Sequence, residues 1–264
     1  NIKDLPGVLM ANGYEALMCP TKKAKDATDI VKNLSDDIDL VILAGGDGTL
    51  NEGITGNLKR EKKLLISQLP VGTMNDVGTM YGFTKKLLVN AQMVINGTNK
   101  NIDVCMLNDT PFVYVACLGS YVDVSYSTPR SFKKKYGRLA YVFSAIHALR
   151  DKVQLFDLTY EVDGTKKSGT YSFIFITNTS RMGGISNIYE DVKLNDNKFE
   201  VILISAKKKP ELFFLANKVL TGKVRNMPGL EHFKTNNFKV VFDKVPPSWV
   251  IDGEEFKHNT KSFN

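Results

Sequence analysis

The stretch DLVILAGGDGTLNEGITGN (Asp39–Asn57) is an apolar run that ends in two glycines, an acid, a third glycine and a threonine. Ile38–Ala44 is rich in isoleucine, valine and leucine and reads as a strand buried on both faces. Upstream, Ala24, Ala27, Ile30, Val31 and Leu34 recur at a helical period over Lys23–Leu34. Downstream follow a short helix over Thr49–Leu58, a second buried strand over Lys63–Leu69, a helix opened by Met74–Phe83, and another over Lys85–Ile95. This alternation predicts a parallel sheet covered by helices. Open sheets of that kind bind ligands at the carboxyl ends of their strands. Glycines there let the main chain approach phosphate oxygens, so Gly45, Gly46 and Gly48 suit a polyphosphate cradle. Asp47 would repel a bare polyphosphate, and its carboxylate makes sense with Mg²⁺, or a water held by Mg²⁺, between the two.

A plain Gly-Asp-Gly turn is the alternative reading. Neither GxxxxGK[ST] nor GxGxxG is present, because Asn51 stands where the latter needs its third glycine. The second strand, however, ends in the same manner: LISQLPVGTMNDVG puts Gly72, Thr73, Asn75 and Asp76 just past its end. Two neighbouring strands bringing glycine, threonine, amide and carboxylate to one rim point to a site.

From about Asn101 the texture changes. Phe156, Leu158, Tyr160 and Val162 alternate with Asp157, Thr159 and Glu161, and Asp163-Gly164 supplies a hairpin turn. FEVILIS, NFKVVFD and SWVIDGEEF read as further strands, interrupted by helices over Arg138–Leu149 and Glu211–Leu220, the latter with Pro210 at its first turn. The second half is therefore expected to be a mostly antiparallel β-sandwich, with Trp249 packed in its core.

At 264 residues and 43% hydrophobic, the chain can bury a sizeable core. A net charge of +7 suits an anionic partner: nucleotide phosphates, an acidic membrane surface, or nucleic acid. Nucleic acid is set aside, since the basic residues follow no known module pattern. No apolar run reaches the roughly 18 residues of a membrane span, and the first residues lack the basic start and apolar core of a signal peptide. Cys19, Cys105 and Cys117 form no CxxC pair and read as thiols of a reducing compartment. His147, His232 and His258 have no paired spacing and read as helix or surface residues, and Lys207–Glu211 reads as a solvated helix start. The basic loop Ser131–Arg138 is either a solvated loop or a membrane-contacting element.

GGDGTLNE (Gly45–Glu52) together with LPVGTMNDVG (Leu69–Gly78) resembles the bacterial diacylglycerol kinase-like lipid kinases, relatives of the eukaryotic diacylglycerol and sphingosine kinases. GGDGT alone is shared with NAD kinases and resembles the phosphofructokinase signature; the GTxND element favours the lipid kinases. The resemblance continues through FVYVACLGSYVDVSYST, KKKYGRLAYVFSAIHAL, GGISNIYEDVKLNDNKFEVILI and VIDGEEF, over nearly the whole chain. It implies an N-terminal Rossmann-like α/β nucleotide-binding domain over residues 1–100 and a C-terminal β-sandwich over 101–264, the NAD kinase/diacylglycerol kinase-like fold. The extreme C-terminus is able to pack back on the first domain, and the active site is expected in the cleft between the two. The implied reaction is transfer of phosphate from ATP·Mg²⁺ to a lipid hydroxyl, most simply that of diacylglycerol, giving phosphatidic acid, by a cytoplasmic enzyme in peripheral contact with a membrane. A homodimer stays open.

Carried over by motif, Gly45, Gly46, Asp47, Gly48, Thr49, Leu50, Asn51 and Thr73 line the ATP phosphates, with Asn75 and Asp76 beside them and Thr21 joining from upstream. Asp47 organises the magnesium–water network, and Glu254 of the terminal Asp-Gly-Glu is the catalytic carboxylate. A structural Mg²⁺ is implied at Asp196 with the carbonyls of Lys193 and Lys198, although Asn197 replaces the glycine usual after that aspartate. The chain lacks the family's usual opening strand with its Asn-Pro-x-x-Gly loop. The alternatives are an NAD kinase-like enzyme and a non-catalytic nucleotide-binding module of the same fold.

Overall fold

The apolar run before the glycines forms β1 (Leu40–Gly45), and β2 (Leu65–Pro70) pairs with it in parallel, from Leu40 opposite Leu65 to Gly45 opposite Pro70. This is the computed structural model of the chain, and it describes residues 4–119, 153–179, 181–182, 185–186, 189, 193–220 and 226–264. The basic loop Ser131–Arg138, the helix expected over Arg138–Leu149, and His147 lie outside the described residues. The chain divides into two units, Asn1–Asn101 and Ile102–Asn264.

In the first unit the helices are α1 (Leu5–Ala11), α2 (Asp26–Asn33), α3 (Asp47–Leu58), α4 (Asp76–Met80) and α5 (Leu87–Asn96). The α1 helix, which the periodicity does not announce, packs Leu5 against Leu69 of β2 and Ala91 of α5. A Cβ on Gly56 of α3 would collide with the Thr28 carbonyl, so glycine lets α2 and α3 cross closely. Arg60, 8% exposed, turns its guanidinium onto the carbonyls of Val31 and Leu34 at 3.1 and 2.5 Å and so closes the C-terminal end of α2.

The second unit is a two-layer sandwich. One sheet is six-stranded and antiparallel in the order β12-β11-β8-β5-β14-β15, with β5 (Val115–Gly119), β8 (Phe173–Thr177), β11 (Phe199–Ile204), β12 (Leu230–Thr235), β14 (Trp249–Ile251) and β15 (Glu254–Phe256). The other has the order β16-β13-β6-β7, with β6 (Phe156–Val162), β7 (Thr165–Tyr171), β13 (Phe238–Phe242) and β16 (Ser262–Phe263). Two short hairpins, β3–β4 (Cys105–Leu107, Thr110–Phe112) and β9–β10 (Arg181–Met182, Ile185–Ser186), complete the strands among the described residues.

The alternation in β6 turns Phe156, Leu158 and Tyr160 inward against Leu118, Ile174, Val201 and Trp249 of the facing sheet. Trp249 is fully buried beside Phe263, ring centroids 5.3 Å apart. Truncating a buried aromatic of this kind costs about 3–5 kcal/mol. The last strand, β16, thus completes the sandwich core. On the outer face of the six-stranded sheet, helix α6 (Lys209–Leu220) packs Leu212 and Leu215 over Ile202 and Ile204. Cys105 and Cys117 are buried, and burial pushes both thiols up to about 12; Cys19 is exposed.

Candidate active site

A single residue, Gly46, separates the end of β1 from the start of α3. The helix begins at Asp47, two residues ahead of the Thr49 expected from the sequence. Gly48 lowers intrinsic helix propensity, but the strand fixes where the chain turns, and tertiary context overrides propensity. Asp47 and Gly48 therefore lie in the first helical turn, where main-chain N–H groups have no intrahelical acceptor and the helix dipole is positive. The N-cap, Gly46, has no side chain with which to close that end. A Cβ added to Gly48 would meet nothing within 4 Å, so the space above the turn is open. Gly46 and Gly72 lie backbone to backbone: a Cβ on Gly72 would overlap Gly46 Cα and stand 2.8 Å from Asn75 Oδ1. The two glycine-bearing rims are thus one surface, joined further by Val71 N–H donating to the Gly45 carbonyl at 3.2 Å.

Asp47 holds the rims in register. Its Oδ2 accepts the Asp76 N–H at 3.0 Å and its Oδ1 the Val77 N–H at 3.2 Å. The carboxylate of α3's first turn therefore caps the N-terminus of α4. Burial pushes the Asp47 carboxyl above its ordinary range against the pull of those two donors, and the neighbouring Asp76 charge adds to the rise. Its own N–H adds a further main-chain donor, and a carboxylate held in this way suits a water in a metal's outer shell better than direct ligation.

The other expected nucleotide residues divide. Gly45, Gly46, Gly48, Thr49 and the exposed Thr73 lie on the joined rims, and Asn51 is half-buried one turn along α3. Leu50 is 5% exposed and its N–H already donates to the Gly46 carbonyl, so it belongs to the core. Asn75, in the left-handed region at φ 55°, closes its own loop: Oδ1 accepts the Gly72 N–H at 2.9 Å and Nδ2 donates to the Gly72 carbonyl at 2.8 Å. Asp76 is 1% exposed, with its N–H on Asp47. Thr21 is exposed beside Lys22 and Lys23, whose N–H groups donate to Asp26 Oδ2 at 2.6 and 3.0 Å. Glu52, quoted in the motif without a role, accepts the Lys25 and Ala27 N–H groups at 3.0 and 3.3 Å and so caps α2 from α3.

In the second unit, Asp252 and Gly253 turn between β14 and β15 with φ 48° and 87°, the two positive values a two-residue hairpin turn requires. The Asp252 carboxylate accepts N–H groups from Val113, Tyr114 and Val115 at 3.0, 3.0 and 2.9 Å. Its own N–H donates to the Val115 carbonyl at 2.8 Å, so the turn is riveted to the start of β5. Glu254, the first residue of β15, pairs with Ile251 and is exposed. Sequence reasoning missed Asp252 as the residue that fixes this turn; its only signal was its place in the Asp-Gly-Glu motif.

The loop Lys193–Lys198 precedes β11. Asp196 Oδ1 accepts the Lys198 N–H at 3.2 Å, and Oδ2 lies 2.7 Å from the Lys234 ammonium. The full positive charge on Oδ2 would repel a divalent cation, so the arrangement does not fit one on Asp196. Among the described residues no group of three histidine, cysteine, aspartate or glutamate side chains converges on one point.

Residues 1–107 match the diacylglycerol kinase catalytic domain family, and residues 120–262 match the YegS C-terminal NAD kinase beta sandwich-like domain. The diacylglycerol kinase of Bacillus subtilis (strain 168) is 31% identical over 245 residues, covering 92% of this chain and 80% of that protein. That of Staphylococcus aureus (strain JH9) is 29% identical over 247 residues, covering 92% and 75%. In fold, the chain is similar to a crystal structure of a diacylglycerol kinase from Bacillus anthracis, at TM-score 0.76 and 22% identity over 97% of this chain and 84% of that one. A second crystal structure from that organism gives a TM-score of 0.82 at 22% identity, over 100% and 87%. With two family matches that together run nearly end to end and relatives spanning both units, the chain belongs to the bacterial diacylglycerol kinase-like family of lipid kinases.

Proposed function

We propose that this lipid kinase transfers the γ-phosphate of ATP to the primary hydroxyl of diacylglycerol, giving phosphatidic acid, while in peripheral contact with a membrane. The observation that carries the nucleotide half is the open first turn of α3, where a Cβ on Gly48 meets nothing, set against the Gly72–Thr73 rim. Gly46, Gly48, Thr49 and Thr73 hold the phosphates through main-chain N–H and hydroxyl donors. Asp47, fixed on α4, would hold a water of the magnesium shell, and a magnesium ion bound there would supply positive charge against the phosphates. Glu254 takes the proton from the lipid hydroxyl as the new bond forms, and Asp252 keeps its turn rigid. The lipid half rests on the relatives named diacylglycerol kinase, which also weigh against an NAD kinase-like reading. No helix among the described residues is long and apolar enough to cross a membrane.

The test is incubation with ATP and Mg²⁺ against vesicles carrying diacylglycerol, phosphatidylglycerol or a sphingoid base, with NAD as a soluble alternative, read by mass spectrometry. Gain of one phosphate on diacylglycerol is expected. Phosphorylation of NAD, or of another lipid in preference, would overturn the assignment.

A further inference from the structure

The loop before β11 is where a resident divalent cation is implied by resemblance, and an ammonium from the neighbouring strand already stands on its carboxylate. Lys234 stands on β12, directly across the ladder from Glu200 of β11. Its ammonium reaches past that partner to Asp196 Oδ2 at 2.7 Å, with Glu200 Oε1 at 3.8 Å on its other side. Glu200, whose side chain is 5% exposed, gives its second oxygen to His232 Nε2 at 2.7 Å. A nearly buried carboxylate and a partly buried one therefore share one lysine. The lysine offsets one of the two carboxylate charges, and leaving either oxygen without it would be costly at this depth.

The loop itself is closed by hydrogen bonds that use no ion. Asp103 donates its N–H to the Leu194 carbonyl and accepts the Asn197 N–H on Oδ2, both at 2.7 Å. Asn197 takes the left-handed backbone, φ 56°, that this return requires. A divalent ion placed on Asp196 would sit against the Lys234 ammonium, a charge of like sign held 2.7 Å from Oδ2.

We propose that the Lys234 ammonium stands in place of the structural cation, so that the loop Lys193–Lys198 is pinned to the sandwich by an Asp196–Lys234 ion pair and takes no resident metal. This concerns the scaffold of the second unit and does not depend on which lipid is phosphorylated.

The test uses the full chain, stripped with EDTA, desalted and kept free of nucleotide. Mn²⁺ binding is followed by electron paramagnetic resonance and thermal unfolding is recorded with and without millimolar Mg²⁺. The wild type is expected to bind no Mn²⁺ that depends on Asp196 and to melt at the same temperature with either treatment. Lys234→Met should melt lower, and divalent cation should restore part of the loss by entering the vacated position. One Mn²⁺ per wild-type chain that disappears in Asp196→Asn, with a melting temperature raised by Mg²⁺, would overturn the proposal. Binding that persists in Asp196→Asn lies elsewhere and leaves the proposal standing. If Lys234→Met does not fold, the wild-type and Asp196→Asn measurements decide alone.

Discussion

Gly48→Ala separates a binding glycine from a structural one. The residue is helical, its φ is outside the left-handed region, and a Cβ there meets nothing within 4 Å. The substitution therefore introduces no strain and removes chain entropy from the unfolded state, so the protein should gain about 0.5–1 kcal/mol. The same methyl would project into the space above the first turn of α3, where the proposed phosphates meet main-chain N–H groups. Displacing a reacting phosphate by about 1 Å costs on the order of a hundredfold in rate, so kcat/KM for ATP should fall by about that factor. Denaturant unfolding gives the first quantity and initial rates against ATP concentration the second. Gly72→Ala is the contrast: its Cβ overlaps Gly46, so it should lose about 1–3 kcal/mol through overpacking. A Gly48→Ala enzyme that is more stable and also as active as wild type would refute a phosphate site at this turn.

Asp47→Asn can offer only one oxygen to the two N–H groups of α4, a loss of about 1 kcal/mol that relief of an unfavourable buried charge offsets, while turnover should fall about a hundredfold or more. Activity within tenfold of wild type would reduce Asp47 to a helix cap. Glu254→Gln should keep ATP affinity and lose about two to four orders of magnitude in lipid phosphorylation, with Glu255→Gln tolerated; the opposite pattern would move the base by one residue. Asp252→Ala strands three N–H donors and should cost about 2–4 kcal/mol in unfolding experiments, against under about 0.5 kcal/mol for Glu255→Ala. Burial opposes ionisation of Glu231, but Lys167, Tyr160 and Tyr171 outweigh it and hold its carboxyl below the ordinary 4.5. Its contribution is therefore present above pH 4.5 and lost as pH falls through the lowered value, so Glu231→Gln should flatten acid unfolding there; an unchanged acid limb would contradict it.

Much of this was legible because it is local. The apolar run into Gly45, the Asp163-Gly164 turn and the alternation of β6 each depend on a few adjacent residues. What was not legible depends on partners distant in the chain. Asp47 bonds to residues 29 and 30 positions on, and Asp252 to residues 137 to 139 positions back. No periodicity reports such pairs. The same holds for Lys234 and Asp196, where a motif suggested a metal and only the β11–β12 register shows a lysine within reach. Helix α1 and the three-residue strands β3 and β4 are too short for their patterns to stand above background.

The carboxylates of the two motifs can be ordered by how many main-chain donors they accept. From other segments of the chain Asp252 accepts three, Asp47 accepts two, and Glu254 is exposed at the end of the turn that Asp252 fixes. Amide bonds on both oxygens oppose protonation of a carboxylate, because taking a proton would cost it those bonds, although at Asp47 burial outweighs them. A general base must instead present a lone pair to the substrate hydroxyl. Within Asp-Gly-Glu, Asp252 supplies the frame, and on the proposed reaction the chemistry falls to Glu254. Asp47 lies between the extremes: on the proposed reaction it is fixed firmly enough by main-chain donors to hold a water in one place. On this reasoning substitutions should rank Asp252 first in lost stability and Glu254 first in lost phosphoryl transfer at full stability, with Asp47 moving turnover far more than unfolding.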